Sequence, residues 1–425
     1  MEIGNELASL ARQYDEEDSL KSYRHRFHIP MKGDDQVIYF CGNSLGLQPK
    51  SAATFIAHEV DRWKNLGVEG HFQGELPWVD FHKYSKDALG RLVGAKPEEV
   101  VAMNNLTTNL HLMLASFYRP TDQRKKLIIE SGAFPSDHFA VSTFMELKGV
   151  DPAEHLIELE ADATGYLSLP QTLEVIEEVG SELALVLLPG IQYYSGQWLA
   201  VGPITAAAHA QGAFVGFDLA HAIGNVPLQL HDDGVDFAVW CTYKYLNSGP
   251  GSVSGVYIHE RHAQDVTFPR LGGWWAQQEE ERFQMENVFK PMQGADGWQL
   301  SNMNILGSAA HHASLEIFEA AGMDRLRAKS LKLTAYLETL LQDNVTIRPN
   351  IKILTPSNPE ERGCQLSLFL PNHGKEIFDE LINRGVVLDW REPNVIRVAP
   401  TPLYNTFEEV ATFVHILEGA FTRHQ

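Results

Sequence analysis

The chain has 425 residues, 44% of them hydrophobic and 21% charged, the composition of a folded protein of about two to three domains and not of a disordered one. Lys and Arg number 34 against 55 Asp and Glu, a net charge of −21; a chain this acidic repels a phosphate backbone, which excludes nucleic acid as a partner. The three cysteines, Cys41, Cys241 and Cys364, lie far apart with no CxxC pair, which excludes a disulfide framework or thiolate metal site and points to the reducing cytoplasm.

Along the chain, the first thirty residues are charged throughout and hold no apolar h-region, so no secretory leader is expected. From about Val100 to Ser301, short apolar runs alternate with amphipathic stretches, the pattern of a mostly parallel sheet flanked by helices. Strands are expected at Lys126–Glu130, Leu183–Pro189, Ala213–Asp218, Phe237–Thr242 and Val253–His259, with helices at Pro170–Gly180 and Gly202–Gly212. The most apolar run, Leu183 to Ile191, is broken by Pro189 and Gly190 and falls short of the roughly 18 residues a membrane span needs, so no membrane partner is expected.

Beyond Leu306 one long helical stretch is expected over Ser308–Leu341, then a strand at Cys364–Leu370, a helix near Lys375–Arg384 and a last helix from Phe407. The fold class is therefore α/β, divided into a large domain over 41–305 and a smaller α/β domain over 306–425. Residues 1–40 are expected to pack on the small domain.

Two strand ends carry polar groups where α/β folds bind ligands. The first ends in Asp218, with His221 three residues on; alone, this is also the pattern of a helix cap. The next delivers Tyr243 and Lys244, followed by the small residues of Asn247-Ser-Gly-Pro-Gly251. A lone Lys is ordinarily a solvated surface charge. At the mouth of a sheet, between aromatic residues and one strand after an Asp, it is arranged to form a Schiff base with pyridoxal 5'-phosphate while the Asp pairs with the pyridinium nitrogen. Arg397 lies on an apolar strand, where an unpaired guanidinium would be costly and a carboxylate is its natural partner.

With Asn43-Ser-Leu-Gly46, Leu106-Thr-Thr-Asn-Leu-His111, Phe134-Pro-Ser-Asp137, Gly216-Phe-Asp-Leu-Ala-His-Ala222, Thr242-Tyr-Lys-Tyr-Leu-Asn247, Gly273-Trp274, Leu300-Ser-Asn302 and Arg397-Val-Ala-Pro400 in this order, the chain resembles the kynureninases, pyridoxal-phosphate enzymes of the aspartate-aminotransferase fold type. The resemblance implies Lys244 as the Schiff-base lysine, Asp218 as partner of the ring nitrogen and His221 beside the cofactor. It implies Phe134 on the ring face, Leu106, Thr107 and Tyr243 at the phosphate, and Pro135, Ser136 and Asp137 close by. Trp274 and Asn302 would reach the cofactor from a neighbouring subunit, which implies a homodimer. Ser44, His71, Ser301, Asn302 and Arg397 would bind the substrate, with His71 and Asn302 accompanying preference for 3-hydroxykynurenine over kynurenine.

The implied reaction is hydrolysis of the Cβ–Cγ bond of an L-kynurenine to an anthranilate and L-alanine, with Lys244 moving the α-proton and Tyr243 donating one. Pro189 departs from the family, where a Ser or Thr often stands, and removes a hydroxyl and a backbone donor; the stretch Trp275-Ala-Gln277 also varies. Two rivals are a cysteine desulfurase on the same fold, with Cys364 as nucleophile, and a non-catalytic ligand-binding protein. No metal site is expected: His259-Glu-Arg-His262 follows a strand with no third ligand evident, and His311-His312 begins a helix as capping or packing residues.

Overall fold

Seven short strands build the central sheet of the computed structural model, which describes residues 2–424 and their side chains from Ser9 onward. They are β1 (Val100–Met103), β2 (Lys126–Glu130), β3 (Leu156–Leu159), β4 (Leu183–Pro189), β5 (Phe214–Asp218), β6 (Phe237–Trp240) and β7 (Ser254–Ile258). Their spatial order is β3-β2-β4-β5-β6-β7-β1. Neighbours from β3 to β6 run parallel, whereas β7 is antiparallel to both β6 and β1. The fold class is the α/β expected, and β2, β4, β5, β6 and β7 fall within a residue or two of their sequence-based limits, whereas β1 and β3 were not among the expected strands.

These strands read as continuous apolar runs because both faces are covered. Along β4, Val186 and Leu188 join one apolar cluster and Leu185 and Leu187 the other, the alternation a pleated strand imposes. Helices Leu169–Val179 and Val201–Ala210 lie where the sequence put them. The expected single helix over Ser308–Leu341 is instead two, Ile305–Ala321 and Met323–Asp343. Gly322 sits between them at φ 76°, a left-handed position that ends the first helix and that glycine adopts without strain. His311 therefore lies inside the helix that starts at Ile305, and its Nδ1 is 2.8 Å from Ser248 Oγ.

A second, wholly antiparallel sheet contains β8 (Lys352–Ile353), β9 (Leu366–Phe369), β10 (Asp389–Arg391) and β11 (Val395–Val398), in the order β8-β9-β11-β10. Its apolar cluster joins Leu368, Ile396 and Phe413 to Ala11 and Phe40 from the start of the chain. Asp15 caps the final helix, its carboxylate accepting from the backbone N–H groups of Phe407 at 2.8 Å and Glu408 at 3.0 Å.

The loop after β4 links the two sheets. Ser367 Oγ donates to the Tyr194 carbonyl at 2.5 Å, and the Tyr193 carbonyl accepts from Gln365 at 3.2 Å and Arg397 at 2.8 Å. A cleft is thereby held between the carboxyl ends of the large sheet and the inner edge of the small one. Among the described residues no helix is long and apolar enough to cross a membrane.

Candidate active site

The carboxyl ends of β2, β4 and β5 open into a cavity of about 420 Å³, a size suited to a cofactor or small ligand. Ser44, Leu106, Thr107, Phe134, Ser136, Asp137, Asp218, His221, Tyr243 and Lys244 all line it, as does Pro189. Ten side chains singled out in the sequence thus converge from five separate segments.

Lys244 follows β6, and its Nζ lies 3.0 Å from His221 Nε2 and 5.7 Å from the centre of the Phe134 ring. His221 is buried, and burial first, then the positive charges of Lys244, Arg397 and Arg391, hold its pKa well below the ordinary histidine value. A neutral imidazole leaves Nε2 able to accept a hydrogen bond from Lys244.

Asp218 ends β5 and accepts the Ala220 backbone N–H at 2.7 Å. It shares a further hydrogen bond with Asp137, and burial together with the neighbouring negative charge raises Asp137 well above the carboxylate range. Burial raises Asp218 as well, but the Ala220 amide and Lys244 both favour its ionised form. The shared proton therefore belongs on Asp137, leaving Asp218 the anion. Glu130, at the end of β2, is buried too and pushed up to about 8 by desolvation, against a hydrogen bond from Gln192; it is a neutral acid at pH 7.

Leu106 and Thr107 open the helix Leu106–Phe117, capped by Asn105, whose Oδ1 accepts the Thr108 N–H at 3.1 Å. The unbonded first-turn N–H groups of such a helix, with the Thr107 hydroxyl, suit a phosphate. Gly46, from the Asn43-Ser-Leu-Gly46 segment, donates its N–H to the Tyr243 carbonyl at 2.8 Å. A Cβ there would stand 2.3 Å from the Lys244 carbonyl oxygen, so only glycine lets this segment lie against the Lys244 backbone.

Other assigned residues lie outside this cavity in the single chain. His71 packs edge-on against Trp78 with ring centres 5.3 Å apart, and its Nδ1 is 3.0 Å from the Val68 carbonyl. Trp274 is 50% exposed, donating from Nε1 to the Arg282 carbonyl at 3.0 Å. Ser301, Asn302 and Pro135 are exposed. Arg397 is 1% exposed and already paired with Asp389, at 2.7 Å from Nη2 to Oδ2.

Sequence reasoning missed Glu130, Tyr193 and Arg391, which line the cavity. Glu130 closes a strand that was identified, so its position at a carboxyl end was the available signal. It also missed that His259 has Glu99 and His231 beside it, with ligand-type atoms all within 4.8 Å of one another. Glu99 already accepts from the Lys96 and Glu260 backbones and from His231, whereas His262 pairs with Asp236 at 2.7 Å.

Residues 326–417 match the family model for the kynureninase C-terminal domain. A kynureninase of Xanthomonas oryzae pv. oryzae (strain PXO99A) is 53% identical over 410 residues, covering 95% of this chain and 96% of that protein. A kynureninase of Flavobacterium psychrophilum is 50% identical over 410 residues, 96% of each chain. The chain belongs to the kynureninase family. Among solved structures, the apo cysteine desulfurase of Thermococcus onnurineus NA1 superposes with a TM-score of 0.77 at 19% identity, over 95% of this chain and 98% of that one. The cystine C-S lyase C-DES, in complex with its product cysteine persulfide, reaches 0.75 at 18% identity, over 91% and 98%. At such identities these two share the fold with this kynureninase family member, and its chemistry is argued from its own residues.

Proposed function

We propose that this chain hydrolyses the Cβ–Cγ bond of L-kynurenine, 3-hydroxy-L-kynurenine or both, releasing anthranilate or 3-hydroxyanthranilate and L-alanine. Its setting is tryptophan catabolism in the cytoplasm, feeding NAD biosynthesis through 3-hydroxyanthranilate. A reducing compartment suits three free cysteines. The observation that carries the reading is the meeting of Lys244, His221 and Asp218 in one cavity, in a chain about half identical to kynureninases.

The cofactor is pyridoxal 5'-phosphate, whose protonated ring, when bound, takes up the electron pair released at the substrate's α-carbon. The donor set fits it. Lys244 supplies the amine that holds the aldehyde, Asp218 an anion for the ring nitrogen, and Phe134 a ring face. Leu106, Thr107 and Tyr243 supply neutral donors for the phosphate, with Ser136 and Asp137 beside them.

Each residue's work follows from its state. Asp218 would hold the proton of the ring nitrogen, and neutral Asp137 steadies Asp218 by donating a hydrogen bond. Lys244 removes the α-proton as a free amine, and the unprotonated Nε2 of His221 gives the resulting ammonium an acceptor. Burial raises the Tyr243 phenol, so it keeps its proton at neutral pH and can deliver it to Cβ. Water adds to the γ-carbonyl carbon, the Cβ–Cγ bond breaks, the acyl half leaves as the anthranilate carboxylate, Cβ becomes the methyl of alanine, and Lys244 returns a proton to Cα.

We further assign a homodimer whose partner completes the site, supported by the exposed Trp274, Phe283 and Met285 and by Asn302 lying outside the cavity of its own chain. A desulfurase role finds no support in Cys364, which is fully buried with its thiol pushed up to about 12 by desolvation. The test is direct. Holoprotein is given each kynurenine, and L-alanine and the two anthranilates are quantified by chromatography. Equimolar products lost in Lys244→Ala support the reading; no product from either substrate overturns it.

A further inference from the structure

Glu130 brings an acid proton to the cavity and has nothing in the protein to give it to. It ends β2, is 4% exposed and lines the cavity. Its titratable neighbours are the carboxyl groups of Asp218 and Asp137. The cations of the same cavity are engaged elsewhere, Lys244 with His221 and Arg391 with Asp389. Among the described residues Glu130 makes no ion pair, so burial beside the Asp218 anion keeps it protonated.

Gln192 fixes which way that proton points. Its Oε1 accepts from the backbone N–H groups of Tyr194 and Ser195, each at 2.7 Å, and from Ser195 Oγ at 3.2 Å. Backbone N–H donors can meet only the amide oxygen, so Nε2 is the atom turned toward Glu130. The carboxyl oxygen facing Gln192 is therefore the acceptor, and the O–H sits on the other. Gln192 is the one hydrogen-bond partner of the Glu130 side chain among the described residues, and a buried donor left unmet is costly.

The order of the strands sets what meets this O–H. Across the sheet from β1, the strand ends carry Leu106 and Thr107, then Lys244, Asp218, Pro189 and last Glu130. Pyridoxal 5'-phosphate bears its phosphate arm and its phenolic oxygen on opposite sides of the axis from ring nitrogen to aldehyde carbon. With Asp218 and Lys244 at the two ends of that axis and Leu106 and Thr107 taking the phosphate, the phenolic oxygen belongs on the side of β4 and β2. There Pro189, level with Asp218 in the strand register, has neither a hydroxyl nor an N–H. Tyr193 packs edge-on against Phe134, ring centres 5.3 Å apart. Glu130 has the donor, and a neutral acid donates without adding charge to a site that already holds the Asp218 anion and takes a phosphate.

We propose that Glu130 is a cofactor-binding residue whose carboxylic O–H donates to the phenolic oxygen of pyridoxal 5'-phosphate, and that Gln192 is the positioning residue that aims it. The inference rests on the pyridoxal-phosphate reading of the cavity and involves no substrate.

The test titrates apoprotein with pyridoxal 5'-phosphate and with 3-deoxypyridoxal 5'-phosphate, which lacks only the phenolic oxygen, and reads Kd from the quenching of tryptophan fluorescence. Glu130→Met is expected to raise the Kd of the natural cofactor about 10- to 100-fold and that of the deoxy analogue less than about threefold. Glu130→Ala should behave as Glu130→Met, whereas Glu130→Gln, which keeps a neutral donor, should stay within about threefold of wild type for both. Equal weakening of the two cofactors in Glu130→Met overturns the proposal, because it marks a merely structural role. So does a Glu130→Gln that binds as poorly as Glu130→Met, or a wild-type protein that binds both cofactors alike. Failure of the holoprotein to cleave either kynurenine would fail the functional reading separately, since these titrations contain no substrate.

Discussion

Lys244 Nζ and His221 Nε2 are 3.0 Å apart in a buried corner where the histidine stays neutral. Its pKa lies well below the ordinary value, so His221 carries no charge across the working pH range and serves only as an acceptor. We expect kcat to show no limb near the ordinary histidine pKa. His221→Gln, which retains an acceptor, should keep turnover within about tenfold, and His221→Ala should lose about 100-fold or more. Rate profiles from pH 5.5 to 8.5 decide it, and an acidic limb removed by His221→Gln would sink the assignment.

Gly46→Ala is expected to damage the site through the backbone. The new Cβ would stand 2.3 Å from both the Lys244 carbonyl oxygen and Asn247 Oδ1, contacts that force the two segments apart. The cost should be about 1–3 kcal/mol of stability, read by thermal melting, together with weaker cofactor retention. A variant as stable and as well loaded as wild type would show that the segment gives way freely.

Glu130→Gln should change how stability depends on pH. Burial pushes the folded-state pKa of Glu130 up to about 8, from an ordinary value of 4.5. Between those limits the folded protein keeps a proton that the unfolded chain has lost, so this group's contribution falls as pH rises from about 4.5 to 8 and is level beyond. Glutamine removes that slope. The melting temperature of Glu130→Gln relative to wild type should therefore climb between pH 5 and pH 8, and a difference independent of pH would refute the burial argument.

Mixing subunits tests the shared site. Lys244→Ala and Asn302→Ala homodimers should each be nearly inactive. When the two are co-expressed in equal amounts, about one quarter of the wild-type sites should return, because half of the dimers are mixed and each carries one intact site. Failure of any recovery, with mixed dimers demonstrated by mass spectrometry, would assign Lys244 and Asn302 to the same chain's site.

Much of this protein was legible in its sequence, because a parallel strand buried on both faces must be a short apolar run and must release its polar groups at an end. Asp218, His221, Tyr243 and Lys244 could be read that way, since each lies within a few residues of such an end. Leu106, Thr107, Phe134, Ser136 and Asp137 were reached only through the resemblance to the kynureninases, since nothing local to those residues sets them apart from helix caps and core aromatics. The break at Gly322 was not, because a helical apolar period continues across it and only the backbone conformation divides the two helices. Nor could the sequence reveal that Asp389 stands opposite Arg397 in the register of β10 and β11. That register sets Arg397 2.7 Å from the Asp389 carboxylate, and Arg391, two residues beyond Asp389, lines the cavity. Strand chemistry is written in neighbours along the chain, whereas the partner of a buried charge is decided by which strands lie side by side, and only the tertiary structure sets that.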